Sequence, residues 1–233
     1  MTIPYPQGAL PAKVCGLTRA SDVRLCLELG FRCTGFIFVP GSPRRISPEQ
    51  AAALPAGDAL RVGVFAGRAA EDVLRVMRTA RLDLAQLHGD EDENFCRTVG
   101  PERVIKVLWP QRFAPARPDG AGETAELLGA ECLRFAPVCS LFLLDAGLSG
   151  GGGGKSRRWN DLRSFRPPRP WIAAGGLGPD NLESVFATCS PWAVDLNSGV
   201  EERPGLKDAA KLRAAAAALR ALPGGNLLKK EEP

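Results

Sequence analysis

Histidine is nearly missing from this sequence: His88 is the only one among 233 residues. A single imidazole cannot build a His-based metal site. The seven cysteines include no C-x-x-C pair that would supply a thiolate one. Seven is also an odd count, so the cysteines read as reduced thiols rather than as a disulfide framework. Neither a metal nor a cofactor is expected. No window approaches eighteen uncharged apolar residues, which speaks against a membrane-spanning helix. The opening residues MTIPYPQGAL lack the basic and apolar regions of a signal peptide, and a cytoplasmic location is the expectation. Thirty Lys and Arg stand against 26 Asp and Glu, a net charge of +4, with no basic run that could track a nucleic-acid backbone. Nucleic acid and membrane are therefore not expected partners. The modest positive balance suits a phosphorylated or carboxylated small molecule.

Hydrophobic residues at 45% and charged residues at 24% are ordinary for a globular chain. The length suits one α/β domain over residues 1–233, with a core at about 12–222 and a tail, 223–233, expected to fray. Eight short β-rich apolar runs recur, each followed by a longer stretch with helical spacing. They begin at Ala12, Cys33, Leu60, Leu82, Arg103, Ser140, Pro170 and Trp192. Most are almost continuously apolar, as strands covered on both faces are. Eight alternating units allow a closed barrel or an open doubly wound sheet. The number eight and the glycine-rich loops late in the chain favour a single (β/α)8 TIM barrel.

Helix signals fit that scheme. Ser47, Pro48 and Gln50 form an N-cap, a first-turn proline and a capping-box partner. Gly30 closes the first helix, and the last helix runs from about Asp208 through an alanine-rich stretch. Pro110 to Gly122 reads as a surface excursion. Gly147 to Arg158, with five consecutive glycines, reads as a loop, and its GGGGKS segment as a lid over the pocket. That segment lacks the strand context of a nucleotide-binding loop.

Polar side chains at the C-terminal ends of barrel strands surround one pocket. Here they are Cys15, His88, Asp145, Gly175, Gly176, Asp195, Asn197, Ser198 and Gly199, with Arg44 in the second βα loop. At these residues the chain resembles the phosphoribosylanthranilate isomerases of tryptophan biosynthesis. KVCGLTR at Lys13–Arg19, GFIFVPGSPR at Gly35–Arg44, QLHGDE at Gln86–Glu91 and VIKV at Val104–Val107 follow the family's pattern. So do LLD at Leu143–Asp145, the GGGGKS loop, AGGLGPDN at Ala174–Asn181 and the DLNSGVEERPGLKD stretch at Asp195–Asp208. The chain departs from the family in Asn197, where serine is usual, in Ala146, and in the Arg157–Arg158 pair.

The resemblance implies an Amadori rearrangement of a phosphoribosyl substrate, with Cys15 as general base and Asp145 as general acid. A free thiol titrates near about 8.5 and a free Asp near about 3.9, so the first is expected to be lowered and the second raised. Arg44 is implied as the fork for the anthranilate carboxylate. His88 and Asp195 are implied as pocket or sugar contacts, Asp195 alternatively holding the strand-eight loop. Gly175, Gly176, Asn197, Ser198 and Gly199 are the phosphate candidates. The other six cysteines read as small buried hydrophobes. Two rival readings stay open: a histidine-pathway or dual-specificity phosphoribosyl isomerase, and a non-catalytic barrel serving as scaffold. A monomer or homodimer fits either.

Overall fold

Eight parallel strands follow one another round a closed barrel in chain order: β1 (Ala12–Val14), β2 (Cys33–Ile37), β3 (Leu60–Phe65), β4 (Leu84–Leu87), β5 (Val104–Leu108), β6 (Leu141–Asp145), β7 (Trp171–Ala174) and β8 (Ala193–Leu196). This computed structural model describes residues 8–113, 121–146 and 159–222. The expected tail and the glycine lid lie outside the described residues, as does the middle of the Pro110–Gly122 stretch. Each strand falls inside one of the eight apolar runs. The barrel closes where β8 pairs with β1, Lys13 standing opposite Asp195 and Val14 opposite Leu196.

Because side chains alternate along a strand, each strand sends one set inward and the other toward the helices. Cys33, Val62, Leu84, Ile105, Leu141, Ile172 and Ala193 fill the barrel's interior floor. Ala12, Val14, Phe36, Val104, Phe142 and Val194 belong to the larger core between sheet and helices. Fully burying a Val or Leu is worth about 1.5–3 kcal/mol, so both layers resist polar replacement. The interior set leaves its polar members near the strands' C-terminal ends.

The helices are α1 (Ala20–Glu28), α2 (Pro48–Ala53), α3 (Ala70–Thr79), α4 (Glu93–Val99), α5 (Ala121–Phe135), α6 (Leu182–Cys189) and α7 (Ala209–Ala221). The Ser47 hydroxyl accepts from the Gln50 N–H at 3.1 Å while the Gln50 side chain accepts from the Ser47 N–H at 2.9 Å, so the capping box is complete. Gly30, at φ 88, ends α1, and Asp208 caps α7 through the N–H groups of Ala210 and Lys211.

Three expectations need correction. The scheme put a helix after every strand, yet between β6 and β7 the described residues hold only a 3-10 turn at Asn160–Leu162; the prolines at 167, 168 and 170 keep the residues directly before β7 out of an α-helix. The Pro110–Gly122 excursion starts with a 3-10 turn at Pro110–Phe113 and gives way to α5 already at Ala121. Between β8 and α7 the chain also forms a small antiparallel hairpin, β9 (Glu201–Arg203) with β10 (Leu206–Lys207), turned by Pro204–Gly205.

Candidate active site

At the C-terminal end of the barrel lies a cavity of about 420 Å³ whose walls include Cys15, Arg44, His88, Asp145 and Asp195. Gly175, Gly176, Asn197 and Ser198 close one side of it. Nine of the ten residues singled out from the sequence thus meet round one pocket. The tenth, Gly199, stands just behind: a Cβ there would run into the backbone of Leu177 and Gly178. Only glycine permits this approach, which locks the loop after β7 to the loop after β8.

Cys15 follows β1 directly and is tied to the barrel by its N–H, which donates to the Leu196 carbonyl at 2.8 Å. Its side chain is 3% exposed and packs beside Ile37 and Val64. Burial pushes its thiol up, and the Asp195 carboxylate adds to that, while Lys13 and Lys207 pull the other way without winning. The lowered thiol expected from the sequence is therefore not found in the ligand-free protein, because desolvation is the larger effect. The other six cysteines are free and buried.

Asp145 ends β6, and its Oδ2 lies 3.6 Å from Nε2 of His88 at the end of β4. Burial lowers His88, with Asp145 opposing, so the imidazole is held neutral at ordinary pH. Its Nδ1 sits 3.2 Å from the Gln86 side-chain amide nitrogen, and its ring meets Trp109 edge-on at 5.5 Å. Gln86 also lines the pocket and is 2% exposed, with a carbonyl oxygen that has no hydrogen-bond partner. Such an orphaned acceptor is costly unless a ligand donates to it.

Arg44 departs in part from its expected role. Its Nε lies 3.0 Å from both carboxylate oxygens of Glu201, and its Nη2 lies 2.7 Å from Oε2. One edge of the fork is thus already committed, which leaves the outer end, with Nη1, for a ligand. Glu201 also accepts from Lys207 Nζ at 2.9 Å, and Lys207 reaches on to the Asn197 side-chain oxygen at 3.1 Å. Asn197 therefore spends its carbonyl on a lysine. Asp195 is likewise engaged, both oxygens lying 2.9 Å from Lys13 Nζ.

The sequence reading assigned no role to Lys13, Gln86, Glu201 or Lys207. Each stood within a stretch already singled out, and alternation alone puts Lys13 on the face of Cys15 and Gln86 on that of His88. Nothing local marks Glu201 and Lys207, whose partners come from the fold. Among the described residues no group of three or more His, Cys, Asp or Glu is placed to hold a metal ion, and no helix is long and apolar enough to cross a membrane.

A profile of the family described as N-(5'-phosphoribosyl)anthranilate (PRA) isomerase matches residues 12–218. The chain belongs to this family. Its similarity extends to a PRA isomerase of Desulfovibrio desulfuricans, 50% identical over 214 residues, covering 92% of this chain and 97% of that one. Among solved structures, the PRA isomerase of Thermus thermophilus is 41% identical with a TM-score of 0.72, over 90% of this chain and 98% of that one. A further PRA isomerase structure, 29% identical with a TM-score of 0.71 over 91% of this chain and 100% of that one, holds reduced 1-(o-carboxyphenylamino)-1-deoxyribulose 5-phosphate. Of the departures, Asn197 lines the pocket and Ala146 packs against the core between sheet and helices; the Arg157–Arg158 pair lies outside the described residues.

Proposed function

We propose that this chain isomerises N-(5-phosphoribosyl)anthranilate to 1-(2-carboxyphenylamino)-1-deoxyribulose 5-phosphate, an acid-base Amadori rearrangement in tryptophan biosynthesis. The observation that carries the reading is that Cys15 and Asp145, from β1 and β6, face one pocket of a size that takes a phosphorylated sugar bearing an aromatic ring. Asp145 gives its proton to the furanose ring oxygen, the C–O bond opens, and a protonated imine forms. Cys15 as thiolate then removes the proton from the adjacent sugar carbon. The resulting enolamine tautomerises to the ketone. His88, neutral beside Asp145, orients that carboxyl without adding a charge.

Substrate binding divides among the remaining walls. The outer end of Arg44 receives the anthranilate carboxylate, Glu201 fixing the guanidinium so that little rotamer freedom is lost on binding. The phosphate rests on the glycine-rich rim, where Gly175 and Gly176 at φ 119 and 68 turn the backbone and Ser198 opens the short turn after β8. Gly199 holds the two loops together, and Asn197 and Asp195 shape the wall. Purified protein assayed on this substrate and on its histidine-pathway counterpart tests the reading; turnover of only the latter would overturn it.

A further inference from the structure

Among the described residues Lys13 is the largest fully buried polar side chain, 1% exposed, inside the barrel two residues before Cys15. A buried ammonium is expensive, and exchanging a buried ion pair for well-packed apolar residues is often neutral or stabilising. Two of its three donors are taken by Asp195, its direct neighbour on β8, at 2.9 Å each. The Cys15 sulfur is a near neighbour of the same side chain, both lying beside Gly35, and the charge of Lys13 pulls against the rise of its thiol.

The facing strand is built round this arrangement. Gly35 on β2 has no side chain where a Cβ would stand 2.8 Å from Lys13 Cε and 2.9 Å from Cys15 Sγ. Lys13 and Cys15 thus flank a single spot that the glycine keeps empty. No packing requirement explains a lysine at that point, since an aliphatic chain would fill it.

We propose that Lys13 is a positioning residue for the rearrangement, its ammonium being the charge against which Cys15 holds its thiolate, with Asp195 setting how much of that charge the sulfur receives. This inference rests on the assignment of Cys15 as base. The charged groups facing Cys15 are Lys13 on β1, Asp195 on β8 and Lys207 on β10. From β2 come only Gly35 and Ile37, while Arg44, His88 and Asp145 stand further round the pocket wall. Burial by itself would lower the Lys13 ammonium, yet Asp195 and the thiol outweigh it, so Lys13 keeps its proton through the working pH range. When Cys15 ionises, one carboxylate and one thiolate share this cation. A thiolate with no cation in contact in so dry a site would not form.

The test follows the rate of Cys15 carbamidomethylation by iodoacetamide against pH in the ligand-free protein, located by peptide mass. Lys13→Met should move the midpoint to higher pH and slow the reaction at neutral pH by about tenfold or more, one unit being a factor of ten. Asp195→Asn should move it the other way, because the competing carboxylate is gone. Shifts of opposite sign are not produced by loosened packing. If Lys13→Met does not fold, Asp195→Asn decides alone, and an unmoved or raised midpoint there overturns the proposal. An unmoved midpoint in folded Lys13→Met overturns it equally. Full isomerase activity in Cys15→Ser would instead remove the assignment on which it rests, so the two failures are distinguishable.

Discussion

Arg44 and Glu201 face each other edge to edge, three nitrogen–oxygen contacts of 2.7–3.0 Å joining residues 157 positions apart. Both are nearly withdrawn from solvent, at 8% and 5% exposed. The pair joins the loop after β2 to the hairpin after β8. Removing one partner of a buried pair leaves a charge uncompensated, at a cost of about 3–5 kcal/mol. Arg44→Ala should therefore lose about 3 kcal/mol, the low end, because Lys207 still faces Glu201. Urea unfolding measures it, and the same variant should raise KM more than it lowers kcat.

Glu201 also supplies a pH dependence. Burial opposes its ionisation, but the hydrogen bonds from Arg44 and the charge of Lys207 outweigh that and hold its carboxyl below the ordinary 4.5. A depressed folded value means the unfolded chain takes up the proton first, so the contribution is complete above 4.5 and is lost as pH falls through the folded value. Glu201→Gln should be less stable than the parent near neutrality, and the gap should narrow in acid. Urea midpoints across the range from about pH 6 to about pH 3 would show the convergence; a gap constant with pH would refute it.

Cys15→Ser and Asp145→Asn should each lower kcat by about a hundredfold or more while far-UV circular dichroism stays unchanged, as expected for loss of a general base or acid. Near-parental turnover in either folded variant would refute the role assigned to that residue.

Gly199→Ala places a methyl group against the backbone of Leu177 and Gly178, neither of which can swing away as a side chain can. Overpacking of this kind costs about 1–3 kcal/mol, and each kcal/mol lowers Tm by about 2–4 °C for a domain of this size. Differential scanning calorimetry should show that fall. Because the two locked loops carry the phosphate rim, KM should rise as well.

Eight strands, the capping box at Ser47 and the start of the last helix near Asp208 were legible because each is written locally: an apolar run of the right length, a hydroxyl three residues ahead of its partner, or a stretch of helix formers. The pocket wall was legible for the same reason, since strand ends are local features. What escaped is whatever depends on distant partners. Glu201 looked like a polar residue in a polar stretch, and only the barrel brings Arg44 to it. Lys13 looked like the edge of a motif until Asp195 stood across from it. The β9–β10 hairpin is too short and too polar for period-two reading to find. Among the described residues between β6 and β7, the helix expected from the alternating pattern gives way before β7 to a 3-10 turn and three prolines. The Cys15 thiol was expected low from its chemistry alone, whereas its burial is a property of the assembled site.

Lys13 and Asp195 lie 182 positions apart in the chain yet share the seam where the barrel closes. During synthesis β1 emerges first and β8 almost last, so for most of translation the lysine has no carboxylate to meet. Until that strand arrives, sinking Lys13 into an apolar interior carries the full cost of an unpaired charge. The pairing of β8 with β1 therefore does two things at once in the folded protein: it closes the ring and it sets the carboxylate against the lysine beside Cys15.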